Sequence, residues 1–257
     1  MSPQRQTLIG ISLAAAIAAA WAALHVYAVF FLPLTEATAP WAPLLVALQC
    51  WLNVGLFIVA HDCMHGSLAP GRPRLNRRVG QVALALYAGF SFDRLRPKHF
   101  EHHRRPGSEH DPDYSVPHDS NFWGWYGAFF RQYFGLRELL VLTAIVAFYL
   151  VVLRAPYSNL LLFWAAPAIL SSFQLFFFGT YLPHRPAHDP FDDDHRARSN
   201  GYGTLASLLS CFHFGYHHEH HLEPHRPWWS LPDGRAKRLS PAPPRSGRPP
   251  EPLRRRA

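Results

Sequence analysis

Charge is missing from four long stretches of this 257-residue sequence, and cysteine is scarce throughout, with three in all. An odd, small number of cysteines gives no disulfide framework, so no structural cross-link is expected. No internal repeat is visible, which removes the solenoid and propeller architectures. The uncharged stretches are Leu8 to Leu32, Trp41 to Ala60, Leu139 to Leu153 and Asn159 to Leu182. A chain that is 49% hydrophobic yet confines its charge to the segments between such runs is patterned for a bilayer, not for one soluble core.

A spanning helix needs about 20 apolar residues to cross roughly 30 Å of hydrocarbon. Three runs meet that length. The fourth is extended by Phe134, Leu136 and Tyr157, with Arg137 and Arg154 able to snorkel to the interfaces. The expectation is an all-α integral membrane protein with four spans at about 8–32, 41–60, 137–154 and 159–182. The first run is too long for the apolar region of a secretory signal and reads as a retained span.

Lysine and arginine orient these spans. Segment 33–40 holds none and 154–158 holds one, against eleven in 61–138 and twelve in 183–257. Positive charge accumulates on the cytoplasmic side, so both termini are expected there, in the inner (cytoplasmic) membrane. The net charge of +8 then serves anionic headgroups, and no nucleic-acid partner is expected.

Between spans two and three, Val79 to Phe92 is too short to cross and reads as an interfacial or re-entrant helix. Phe122 to Phe134 mixes aromatic residues with glycine and arginine, as helices in the headgroup belt do. Arg104 to Ser120 lacks any period and reads as a loop able to cover a site. Residues 1–232 form the expected membrane domain. Beyond Pro232 the composition turns to Pro, Arg, Gly and Ser, and residues 233–257 are expected to be a disordered tail.

The seventeen histidines are not scattered. Three clusters carry metal-ligand spacing: His61 and His65 at the end of span two, then His99, His102 and His103, then His217, His220 and His221. On a helix, residues three or four apart share a face, so each cluster can present its imidazoles together. Eight imidazoles exceed what one ion uses, which implies two metals. Imidazole suits zinc, copper, iron and nickel, and spacing alone leaves these open. Asp62, Glu101 and Glu219 inside the clusters, with Asp111 and Asp113 in the loop, are candidates to orient ligands through the second ring nitrogen. His25, His110, His118, His188 and His195 read as hydrogen-bonded or solvated, and no role is assigned to His213, His218 or His225.

The boxes His-x3-His, His-x2-His-His and His-x2-His-His resemble those of the membrane fatty acid desaturase and hydroxylase superfamily. Finer matches lie in His61-Asp62-Cys63-Met64-His65-Gly66-Ser67-Leu68, in Phe178-Gly179-Thr180-Tyr181-Leu182-Pro183-His184-Arg185 and in Cys211 to Leu222. These look like bacterial beta-carotene ketolases over about residues 40–232. The resemblance implies a di-iron enzyme taking dioxygen, and electrons from an external donor such as a ferredoxin, to oxidise C4 of β-ionone rings. It also implies His184 as a ninth ligand. The chain departs from the pattern at Cys63, where ketolases usually carry alanine, and in its arginine-rich tail. A fatty acyl desaturase, an alkane or lipid hydroxylase and a carotenoid 3-hydroxylase share the boxes. A membrane metal transporter is the alternative from another class, disfavoured because transport sites usually lie near the midplane.

Overall fold

The computed structural model describes residues 1–118, 121–187 and 189–239, and among them every regular element is helical. Helix α1 spans Pro3–Phe31, α2 Ala39–His65 and α7 Tyr157–His184, each long and apolar enough to cross a membrane. Between them come α3 (Pro73–Ala88), α4 (Phe92–Arg104) and α5 (Phe122–Tyr133), then α6 from Leu136 to Val152. Short helices α8 (Thr204–Cys211), α9 (His217–Leu222) and α10 (Leu231–Leu239) close the described chain. The pair α5 and α6 bends by 80° at its break and counts as a fourth span if taken as one broken helix.

Local chemistry sets most boundaries. Ser2 caps α1 by accepting from the Arg5 amide, with Pro3 at the first helical position. Gly66 ends α2 with φ of 74°, a left-handed turn that glycine adopts without strain. The Asn121 side chain accepts from the amides of Trp123 and Gly124 to start α5. Helices α1 and α6 each contain one wide turn of i→i+5 type, at Tyr27–Phe31 and Phe148–Val152, and α7 contains two, at Leu161–Ala165 and Phe177–Tyr181. Lipid offers no donors to loose carbonyls. At the end of α1 this need is met by Asn159 of α7, whose Nδ2 donates to Ala28 O at 2.9 Å and Leu32 O at 2.8 Å.

Helix α2 is the central post, packed against α1, α3 and α7. Its core includes Leu52, Val54, Leu56, Ile58 and Val59, while Leu44 and Leu48 of the same helix, with Val151 and Ile169 elsewhere, stay exposed. Apolar residues on the outside of long apolar helices are the surface of a protein dissolved in lipid. Cys50, Cys63 and Cys211 are buried and unpaired.

The helices overrun the expected spans where chemistry continues them. Helix α2 carries on to His65, so the first histidine box is the last turn of a span. The short apolar run expected from Val79 begins earlier, as α3, and stops at Gly89 with φ of 68°. The tail expectation needs correction: residues 233–239 belong to α10 and are not disordered. Leu231 is buried, and Arg235 and Arg238 bond to Glu219, so specific partners offset the ordering entropy there. Residues 240–257 lie outside the described residues.

One tight approach fixes where the last histidine cluster sits. Phe212 and His213, between α8 and α9, are left-handed at φ of 47° and 64°, a conformation that costs a non-glycine residue free energy. Phe212 is held there by burial and by stacking on Trp51 at 4.3 Å. Gly55 of α2 makes room, since a Cβ there would lie 2.7 Å from the Phe212 ring. Replacing Gly55 by alanine should therefore destabilise the fold by about 1–3 kcal/mol through overpacking. A thermal unfolding midpoint in detergent equal to the parent's would contradict this account.

Candidate metal centre

Three helix ends and one short helix converge at one end of the bundle. Helix α2 brings His61 and His65, α4 brings His99, His102 and His103, α7 ends on His184, and α9 brings His217, His220 and His221. Their ring nitrogens form two groups, each with all ligand atoms within 4.8 Å of one another. One group is His61, His65, His99, His103 and His220; the other is His102, His184, His217 and His221.

The split follows helix geometry more closely than sequence clusters do. On α4 the i,i+4 pair His99 and His103 serves the first group and His102 the second. On α9 the i,i+4 pair His217 and His221 serves the second group and His220 the first. Each triplet thus straddles both groups and holds them side by side. His184, expected only by resemblance, completes the second.

The nitrogen distances suit an ion. His102 Nε2 lies 3.2 Å from His221 Nε2, which is 3.1 Å from His217 Nε2. His220 and His103 approach to 3.1 Å and His65 and His99 to 2.6 Å, again through Nε2. Two imidazoles bound at about 2.1 Å to one metal with near-tetrahedral or octahedral angles place their nitrogens roughly 3.0–3.4 Å apart, as these pairs are except His65 and His99, which sit closer. The Nε2 atoms of His61 and His184 are buried with no hydrogen-bond partner among the described residues. Burial first, then the neighbouring imidazoles, hold His99, His103, His217, His220 and His221 well below the usual histidine range. These rings are therefore neutral, the form that binds metal.

Supporting groups orient the rings. His102 Nδ1 donates to both oxygens of Asp111, at 2.9 and 3.0 Å, and lies 3.9 Å from Asp113. Burial would pull His102 down, but the carboxylates of Asp113 and Asp111 outweigh it and raise it. Asp111 is itself aimed by the amides of Gly107 and Asp113, both at 2.8 Å. His184 Nδ1 donates to the Arg196 carbonyl at 2.7 Å, and the Arg196 side chain donates to Gly107 O at 3.0 Å, joining the two covering loops.

The remaining candidates sort by contact. Glu219 accepts from Ser199, from Arg238 at 2.7 Å and from Arg235 at 3.3 Å. Burial alone would raise its carboxyl, but the Ser199 and Arg238 donors hold it below the usual range. Asp62 accepts from the Trp228 amide at 3.1 Å, while its other oxygen is 3.9 Å from His61 Nδ1, so it chiefly ties the C-terminal turn to α2. Glu101 is not brought to the site; it pairs with Arg104 and Arg105 on the outer face of α4. Cys63 packs against Gly80 of α3, where an added Cβ would lie 3.0 Å from its own.

His218 points away from both groups, with Nε2 on Asp193 at 2.8 Å and Nδ1 facing Arg238 at 2.8 Å. His25 stacks on Trp21 and bonds to the Tyr149 hydroxyl at 2.8 Å. His213 stacks with Tyr216, while His110 and His225 are exposed. The side chain of His118 and all of His188 lie outside the described residues. Sequence spacing missed Asp193, Ser199, Arg196, Arg235 and Arg238, because loops and a helix distant in sequence supply them.

Beside the histidines lies a cavity of about 430 Å³. His61, His99, His102 and His217 wall one end, and aromatic and aliphatic residues including Phe57, Tyr87, Phe129 and Leu175 wall the rest. Ile169 lines it too and is 56% exposed on the outer surface of α7, so the cavity reaches the apolar face of the bundle.

The model of the fatty acid desaturase family matches residues 36–142 and 132–252. A beta-carotene ketolase of Paracoccus sp. (strain PC1) is 51% identical over 88% of this chain and 92% of its own length. A second, from Paracoccus sp. (strain N81106 / MBIC 01143), is 50% identical over 90% of this chain and 94% of its own. A zeaxanthin 4-ketolase of Chlamydomonas reinhardtii is 39% identical over 90% of this chain and 54% of its own. The chain belongs to the fatty acid desaturase family, in the group of the beta-carotene ketolases.

Proposed function

We propose that this chain is a dioxygen-dependent ketolase acting at C4 of β-ionone rings, carrying beta-carotene through echinenone to canthaxanthin and zeaxanthin toward astaxanthin. The observation that carries this reading is the pairing of two histidine groups with an apolar, aromatic cavity open toward the lipid face. His61, His65, His99, His103 and His220 would hold one iron, and His102, His184, His217 and His221 the other. The two irons would supply activation of dioxygen, with electrons from an external donor such as a ferredoxin.

Everything else falls to the chain. The substrate is dissolved in the bilayer, so a cavity reaching the outer face of α7 receives a ring without passing it through water. Aromatic walls exclude water and hold a flat ring against the histidine end, which is where positioning contributes most to rate. C4 is allylic and carries two hydrogens; replacing both by hydroxyls in two rounds gives a geminal diol, and loss of water leaves the ketone. Asp111 keeps the His102 proton on Nδ1, so that its Nε2 remains a ligand throughout. Glu219, clamped by Arg238, holds α9 and thereby its three imidazoles in place.

In the membrane, the broken helix α5 and α6 would serve as the third of four spans, placing both termini and the histidine groups on the cytoplasmic side of the inner membrane. There the two histidine groups, and the irons they would hold, would be within reach of a soluble electron donor. The histidines lie at helix ends and not at mid-span, which speaks for this reading over a transport path.

Expression in bacteria that accumulate beta-carotene should yield canthaxanthin by chromatography and mass spectrometry, and unchanged carotene beside well-expressed, metal-loaded protein would overturn the reading. Replacing Asp111 by asparagine should lower ketolation about 10- to 100-fold, by freeing the His102 ring. Full activity in that variant would remove Asp111 from the orienting role.

A further inference from the structure

Polar groups are few on the cavity wall. Tyr126 and Ser172 satisfy one another there at 2.6 Å. At the histidine end stand Asp113 and Tyr133, both lining the cavity. The Tyr133 hydroxyl donates to Asp113 Oδ1, and Asp113 Oδ2 lies 3.9 Å from His102 Nδ1.

Anchoring the loop does not account for this carboxylate. The backbone of Asp113 is already secured at both ends, its amide donating to Asp111 at 2.8 Å and its carbonyl accepting the Trp125 indole at 2.8 Å. Tyr133 serves one oxygen, and the other is beyond hydrogen-bond distance of His102 Nδ1; a carboxylate so placed on a mostly apolar wall costs several kcal/mol of desolvation and can accept from a polar group that enters the cavity.

Location identifies that partner, given the C4 reading on which this inference rests. A ring that presents C4 to the histidines has C3 one bond away and a 3-hydroxyl oxygen two bonds away, within the same cavity that Asp113 and Tyr133 line next to His102. We propose that Asp113, braced by Tyr133, accepts a hydrogen bond from the 3-hydroxyl of a hydroxylated β-ionone ring, and so sets the preference for hydroxylated over plain rings. The hydroxyl of the ring donates to the carboxylate, while Tyr133 keeps the carboxylate turned toward the cavity. A plain ring sets C–H groups against the same carboxylate. Sites that hydrogen-bond a substrate hydroxyl discriminate strongly against the analogue lacking it.

The test compares initial rates in membranes supplied with beta-carotene or with zeaxanthin, for the parent, Tyr133→Phe and Asp113→Leu. The zeaxanthin to beta-carotene ratio should fall about tenfold in both variants, the scale of one hydrogen bond to a charged group. The same ratio of affinities, read from carotenoid absorption on protein held in lipid nanodiscs, keeps the answer available if a variant binds but does not turn over. Equal losses on both substrates would show a merely structural pair and overturn the proposal. So would a ratio that moves with Thr180→Val, another hydroxyl on the cavity wall, and not with Tyr133→Phe. A parent that converts neither carotenoid would instead fail the C4 reading, and the proposal with it.

Discussion

Nine imidazoles, six of them buried and three half-buried, face one another across two small spaces, and this arrangement is unstable on its own terms. Neutral rings that converge through lone pairs at about 3 Å repel, and protonating them in a buried site is costlier still. A divalent cation in each group would turn that repulsion into coordination. Much of the surrounding structure serves this end: α2 and α7 terminate on candidate ligands, two covering loops orient His102 and His184, and α10 clamps the glutamate of α9. The groups share two triplets, so that moving α4 or α9 disturbs both at once.

The apolar surface and the polar centre meet at one cavity. Long helices with leucine, valine and isoleucine outward are soluble only in lipid, and the same lipid is the reservoir of a carotenoid. A cavity whose wall is aromatic along its length and imidazole at its end joins that reservoir to the metal groups. Wide turns in α7, the last of them at Phe177–Tyr181 just before His184, show a helix bent from regularity as it enters the site. Such turns recur at functional positions, and here one precedes a candidate ligand.

How much of this could be read from the residues alone depends on how local each feature is. Charge-free runs and i,i+4 histidines are local, so the apolar helices and the eight boxed imidazoles were legible. Which group each imidazole joins was not, because the division of His99, His102 and His103 depends on how α4 faces α9. His184 required resemblance, since a lone histidine after a span carries no spacing. Glu101 had the same local setting as Glu219, yet one faces arginines outside and the other is clamped inside. The partners of Glu219 come from α10, where a Pro- and Arg-rich composition suggested disorder. Asp193, Ser199 and Arg196 sit in loops with no pattern of their own, and only the folded chain brings them to the histidines.

The central claim is that two metals share this site, one per histidine group. The direct measurement is elemental analysis of the purified protein in detergent, joined to Mössbauer spectroscopy after growth on enriched iron. The account predicts two irons per chain, one for each group, with a coupled spectrum, and close to one iron after His65→Ala. A single iron in the parent, or zinc in its place, would contradict it.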